Sequence, residues 1–129
     1  MKLLLDTHVL LWALLEPEKL SSELRNALED SDNTLVVSAA SAWEIATKWR
    51  LGKLQQARSV VENYAMALHR LAAVDLPISG AVARRAGLWD VPHRDPFDRL
   101  LAAQAMADDL VLASTDPAFA QFEGVVTLR

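Results

Sequence analysis

Four acidic residues define the chemistry open to this sequence. Asp6 closes the apolar run Leu3-Leu4-Leu5. Glu44 lies in Ser41-Ala42-Trp43-Glu44-Ile45, Asp98 in Arg94-Asp95-Pro96-Phe97-Asp98-Arg99, and Asp116 in Ser114-Thr115-Asp116-Pro117. Two carboxylates about 5 Å apart repel by roughly 3 kcal/mol even at an effective dielectric near 20, so four gathered at one place require protons or a cation. The chain has no Cys and three dispersed His. Carboxylates and water without soft ligands select hard cations, Mg²⁺ or Mn²⁺, in octahedral oxygen geometry. Such a centre polarises a phosphodiester and lowers the pKa of a bound water, and a second ion could stabilise the leaving oxygen.

Each acid also has a purely structural explanation. Asp6-Thr7 can cap a helix that begins near His8. Ser41 and Glu44 have the spacing of a capping box. Asp95 reads as an N-cap, Pro96 as the first helical residue and Asp98 as a first-turn acid, a helix-start pattern. Asp116 before Pro117 can cap as well. What favours a joint role is placement, because Asp6, Glu44 and Asp116 follow strands and Asp98 starts a helix. Parallel connectivity puts junctions of that kind at one edge of a sheet, where open α/β sheets bind their ligands.

The elements that must position them alternate along the chain. Leu3–Leu5 is a short continuous apolar run, as expected of a strand buried on both faces. Val9 to Leu15 continues as an apolar helix stopped by Glu16-Pro17. Ser21 or Ser22 caps an amphipathic helix reaching about Asp30, with Leu24, Ala27 and Leu28 as its buried stripe. Asp32-Asn33 turns into a second strand, Leu35 to Ser38. A helix over Ala39–Arg50 ends with Gly52 near its C-terminal cap. Arg58 to about Leu71 is a further helix, Ala73–Leu76 a third strand, Ser79–Gly87 a helix and Asp95–Asp108 a longer one. Leu110–Ser114 is the fourth strand and Val125–Leu128 a candidate fifth. The expected fold is a three-layer α/β/α sandwich around a mostly parallel sheet.

Composition sets the outer limits. At 129 residues, 52% hydrophobic and 23% charged, the chain is long enough for one domain over 1–129 and too apolar for disorder. Absence of Cys fits a reducing cytoplasm. The apolar start resembles a secretion signal, but Asp6 and His8 interrupt it and Glu16-Pro17-Glu18 replaces a cleavage site, so no signal peptide is expected. No stretch is long enough for a membrane span. A net charge of −4 argues against tight, unaided binding to duplex nucleic acid. It leaves a nuclease open, because a bound divalent ion reverses the local field.

Taken together, Leu4-Leu5-Asp6-Thr7-His8, Ser41-Ala42-Trp43-Glu44-Ile45, His93-Arg94-Asp95-Pro96-Phe97-Asp98-Arg99-Leu100 and Ser114-Thr115-Asp116-Pro117-Ala118-Phe119 resemble the four acidic motifs of PIN-domain proteins. They are most similar to VapC-type toxins of toxin–antitoxin pairs, and the resemblance runs from Leu4 to Phe119. It implies a Mg²⁺- or Mn²⁺-dependent endoribonuclease cutting single-stranded or looped RNA, silenced by a small cognate antitoxin protein and forming a homodimer. It also implies Asp6, Glu44, Asp98 and Asp116 as the acidic catalytic and metal-binding site, with Asp6 and Asp98 the direct ligands. Ser114 stands where many relatives carry Thr, which keeps a hydroxyl. The role of Asp95 is left open.

Other residues have two readings each. His8 and His93 adjoin acids, although a lone His more often packs or hydrogen-bonds than ligates. Lys48, Arg50, Lys53, Arg94 and Arg99 could hold RNA phosphates or be solvated, and Arg99 could pair with Asp95 at i, i+4. Trp12, Trp43, Trp49 and Trp89 fit core or interface, with base stacking by Trp43 or Trp49 as an alternative. Among rival functions, a receiver-type signalling domain would use Asp75 as phosphoacceptor but lacks an acid pair after the first strand. A haloacid-dehalogenase-type phosphatase would need an acid where His8 stands. A non-catalytic acidic binding module is opposed only by the completeness of the acid set.

Overall fold

Leu3, Leu4 and Leu5 are all fully buried, as a strand covered on both faces requires. Successive side chains point to opposite faces. Leu3 and Leu5 therefore enter one hydrophobic cluster and Leu4 a second. The computed structural model describes residues 1–129 and contains five strands. They are β1 (Lys2–Leu5), β2 (Thr34–Ser38), β3 (Ala73–Leu76), β4 (Val111–Ala113) and β5 (Thr127–Leu128). All pair in parallel, in the order β3-β2-β1-β4-β5. The chain moves outward from β1 through β2 to β3, then crosses back to β4 and β5. The direction reverses between β1 and β4, and such a reversal opens a crevice beyond the strand ends.

Seven α-helices cover the sheet: α1 (Thr7–Leu15), α2 (Ser22–Glu29), α3 (Ala39–Arg50), α4 (Arg58–Glu62), α5 (Tyr64–Arg70), α6 (Gly80–Leu88) and α7 (Pro96–Ala107). On one face Val9, Leu10 and Leu14 of α1, Leu24 of α2, Ile45 of α3, Val60 of α4 and Leu68 of α5 pack on Leu3, Leu5, Leu35 and Val37. On the other, Leu101, Ala102 and Ala105 of α7 join Phe119 and Phe122 over Leu4, Val36 and Leu112. The three-layer sandwich is the expected one. No helix is long and apolar enough to cross a membrane.

Local chemistry explains where the elements start and stop. Ser21 and Ser79 accept hydrogen bonds from Leu24 N and Val82 N, each at 3.1 Å, and so cap α2 and α6. After α3 the chain turns through Gly52 at φ 77°, with Gly52 N donating to Trp49 O and Lys53 N to Lys48 O. This double closure satisfies the last carbonyls and needs a residue free to be left-handed. Two expectations change. The helix expected over Arg58 to Leu71 is broken at Asn63 (φ −132°, ψ 51°) into α4 and α5. The two last strands are shorter than Leu110–Ser114 and Val125–Leu128, covering Val111–Ala113 and Thr127–Leu128, although Ser114 N still donates to Leu128 O at 3.0 Å.

Candidate active site

Asp6 is positioned by both of its neighbours along the chain. Its N–H still pairs with Ala113 O at 3.0 Å, while its side chain accepts from Thr7 N at 2.7 Å as the cap of α1. Capping uses Oδ1 and leaves Oδ2 for the site. Oδ2 accepts from Ser114 Oγ at 2.6 Å and lies 3.1 Å from His8 Nδ1. Ser114 Oγ in turn accepts from Asp116 N at 3.0 Å, so one hydroxyl joins the ends of β1 and β4. Asp116 accepts from Ala118 N at 2.9 Å and starts a short 3₁₀ turn, Pro117–Gln121.

Glu44 comes from the other side of β1. The capping-box expectation fails here, because α3 starts at Ala39 and its cap is Ser38, which accepts from Ala40 N at 2.9 Å. Ser41 therefore lies inside the helix, and its hydroxyl meets Thr7 Oγ1 at 3.0 Å, tying α3 to the start of α1. Glu44 is buried; Oε2 pairs with Lys48 one turn on, and Oε1 is enclosed without a hydrogen-bond partner. Asp98 sits in the first turn of α7. Asp95 caps that helix as expected, accepting from Phe97 N at 2.9 Å and Asp98 N at 3.4 Å through Oδ1 alone. Asp98 Oδ2 lies 2.8 Å from His93 Nε2.

One pocket of about 220 Å³ gathers Asp6, Glu44, Asp98 and Asp116, and Asp95 joins them. His8 and Lys48 bring the nearby basic groups, and Leu11 and Leu54 form its apolar wall. Arg50, Lys53 and Arg94 are exposed, and none of them lines the pocket. Arg99 does not pair with Asp95; its guanidinium is spent on backbone carbonyls, among them Ala86 O at 2.8 Å and Val91 O at 2.9 Å. Trp12 packs against the larger core and Trp89 on Phe122. Trp43 is 56% exposed and meets Phe97 edge-on at 4.7 Å. Asp75 lies exposed on edge strand β3, away from this pocket, which removes the geometry a receiver-type phosphoacceptor needs. The tie between Thr7 and Ser41 was not foreseen from the sequence, where its signal is a pair of small hydroxyls, one beside Asp6 and one a helical turn before Glu44.

The electrostatics match the crowding. Burial pushes the Asp98 carboxyl up to about 6; the His93 hydrogen bond opposes the rise, and the charges of Asp95 and Asp6 add to it. For His8, burial alone would lower the pKa, but the bond to Asp6 and the charges of Asp6, Asp116 and Asp98 outweigh it, and the net shift is upward. Lys48 is likewise raised: burial works against the charge, and Glu44, Asp95 and Asp98 overcome it. The site therefore favours added positive charge.

Whether these residues suit a divalent cation rests on their donors. No three His, Asp or Glu side chains already converge on a point as a bound ion would need. The pocket nevertheless presents five carboxylates and no sulfur, and the buried Glu44 Oε1 is an acceptor with nothing to accept from. An orphaned buried carboxylate oxygen is costly and calls for a partner. His8 adjoins Asp6 Oδ2, Lys48 holds Glu44 Oε2 and His93 holds Asp98 Oδ2, while Asp98 Oδ1 and Asp116 Oδ2 make no hydrogen bond. The donor chemistry fits Mg²⁺ or Mn²⁺.

Comparison with known proteins identifies the family and the fold. Residues 3–125 match the PIN domain. The chain is 32% identical over 113 residues to Ribonuclease VapC22 of Mycobacterium tuberculosis (strain ATCC 25618 / H37Rv), covering 88% of this chain and 85% of that protein. In three dimensions it resembles a chain of VapBC2 from Rickettsia felis, crystallised on a DNA fragment from its promoter, with TM-score 0.69, 16% identity and coverage of 99% and 98%. FitAcB from Neisseria gonorrhoeae superposes with TM-score 0.63 at 20% identity, covering 98% and 96%. With that match spanning β1 to the segment before β5, and its acidic pocket at the sheet's switch point, this chain belongs to the PIN-domain family.

Proposed function

We propose that this chain is a Mg²⁺- or Mn²⁺-dependent endoribonuclease, hydrolysing phosphodiester bonds of single-stranded or looped RNA, and that it serves as the toxin of a toxin–antitoxin pair. The observation that carries this reading is the gathering of Asp6, Glu44, Asp98 and Asp116 around one pocket in a PIN-domain chain similar to a ribonuclease. Asp6 and Asp98 would hold the cation directly, with Glu44 and Asp116 completing the acidic set. When bound, the ion supplies Lewis-acid polarisation of the phosphodiester and a water of lowered pKa.

The chain's own residues supply the rest. Ser114 Oγ donates to Asp6 Oδ2 and fixes how that carboxylate faces the pocket. Its partner on Asp98 is His93, which holds Oδ2 at 2.8 Å. Lys48 is half-exposed at the rim, paired with Glu44, and its ammonium would present a point charge to an RNA phosphate entering the pocket. His8 lies between Asp6 and Thr115 Oγ1 at 2.9 Å, at the pocket wall, where it can hold a proton near the reacting oxygens. Trp43, exposed on α3 one residue before Glu44, offers a face on which an unpaired base can stack.

A small antitoxin protein as partner, a homodimer and a cytoplasmic location complete the proposal; VapBC and FitAB complexes among the fold neighbours support the first. End-labelled single-stranded RNA incubated with the purified protein tests the activity. Mg²⁺ or Mn²⁺ should produce internal cuts that EDTA abolishes. Intact RNA under both conditions would leave an acidic binding module as the better account.

A further inference from the structure

Arg99 follows Asp98 on α7, yet none of its side-chain hydrogen bonds is directed at the pocket. Nε donates to Ala86 O at 2.8 Å, Nη1 to Val91 O at 2.9 Å and to His93 O at 2.8 Å, and Nη2 to Trp89 O. Ala86 lies in the last turn of α6, where helix carbonyls lack internal partners and carry partial negative charge. The other three acceptors belong to the segment between α6 and α7, which has no helix or strand of its own. A guanidinium presents five donors in a rigid fork and can grip several carbonyls at once, whereas a lysine ammonium is a compact point charge on a flexible stem.

The gripped segment ends at His93, whose Nε2 meets Asp98 Oδ2 at 2.8 Å and whose ring stands edge-on to Phe122 at 5.9 Å. Consecutive residues of α7 thus act on the same loop in opposite directions: Arg99 fixes its backbone, and Asp98 receives the imidazole it carries. We propose that Arg99 is a positioning residue for the active site, clamping residues 89–93 so that His93 holds Asp98 Oδ2 and leaves Oδ1 to face the pocket. This rests on the reading of Asp98 as a cation ligand. Partners behind a ligand usually account for about 10–100-fold in metal affinity.

Mn²⁺ titration calorimetry on the full chain, with far-UV circular dichroism as the fold control, tests it. Arg99→Lys should bind Mn²⁺ at least about tenfold more weakly. His93→Leu should do the same, and His93→Gln, whose amide N–H can still donate to Asp98, should recover most of the loss. Because both residues act through one contact, Arg99→Lys added to His93→Leu should weaken binding little further. In RNA cleavage, kcat should fall while KM stays at the wild-type value. A folded Arg99→Lys protein with wild-type Mn²⁺ affinity, or fully additive losses in the double variant, would overturn the proposal. Should Arg99→Lys fail to fold, equal affinities of wild type, His93→Leu and His93→Gln overturn it, and weakening rescued by Gln supports it. Wild-type protein that binds no Mn²⁺ would overturn the metal site as well as this inference; bound Mn²⁺ with unaffected variants removes the inference alone.

Discussion

Asp98 and Asp95 lie three residues apart and do different work. Asp98 is buried, and its carboxyl rises from the ordinary 3.8 to about 6, so keeping it ionised at neutral pH costs on the order of 3 kcal/mol in the metal-free protein. A raised carboxyl favours the folded state below the unfolded pKa, and that contribution is lost as pH rises through about 6. Asp98→Asn should therefore melt several degrees higher than wild type in EDTA at pH 7.5, the gap closing toward pH 4, while cleavage is lost. A melting difference that does not change between those pH values would contradict it. Asp95→Asn should keep the fold and substantial cleavage, because Asn caps nearly as well as Asp and Oδ1 alone makes the cap bonds. Cleavage assays on the two folded variants side by side decide whether Asp95 is more than a cap. Identities at this scale were legible in the sequence, since Asp6, Asp95 and Asp116 do cap and still reach the pocket. Partners were not: the box spacing of Ser41 and Glu44 is real, but the helix starts three residues too early to use it. Likewise the i, i+4 spacing of Asp95 and Arg99 lost to unpartnered carbonyls that only tertiary structure brings close.

At the level of elements, the strand carrying Asp6 ties the two cores together. Leu4 is fully buried against α7 and the aromatic pair Phe119 and Phe122, so Leu4→Ala should cost about 2–5 kcal/mol in urea unfolding, with activity of the surviving folded fraction retained. Loss below about 1 kcal/mol would show that the second face closes around the gap. The strands and long helices followed from apolar runs, caps and the Gly52 turn. The break at Asn63 did not, because neither Gly nor Pro marks it and Val60, Ala67 and Leu68 keep a helix-like apolar spacing across it. Packing both short helices onto one core fixes the bend there. Trp43 and Phe97 bridge α3 and α7, the helices that carry Glu44 and Asp98. Trp43→Ala is expected to raise KM for single-stranded RNA severalfold with kcat nearly unchanged, since base stacking contributes about 1–3 kcal/mol. An unchanged KM would show that this exposed face serves something other than RNA.

Across the whole molecule, the parallel sheet of order β3-β2-β1-β4-β5 turns four separated sequence motifs into one acidic pocket. Alternating strands and helices implied the class, and parallel pairing puts the carboxyl ends of the strands on one side. Strand order was not legible, because it depends on which edge each returning strand joins. That order places β4, and with it Ser114 and Asp116, directly beside Asp6. Carboxylates gathered in one pocket repel one another, and a divalent ion bound there would relieve the repulsion. Melting temperature should rise with Mn²⁺, reflecting about 2.7 kcal/mol at a hundred times the dissociation constant. Overlapping melting curves in EDTA and Mn²⁺ would argue against such a site. The most direct test of the acidic pocket as a cation-dependent centre is Mn²⁺ titration calorimetry of wild type beside Asp6→Asn, both confirmed folded. Saturable binding in wild type that weakens at least about tenfold in Asp6→Asn is the predicted result, and equal binding by the two proteins would contradict it.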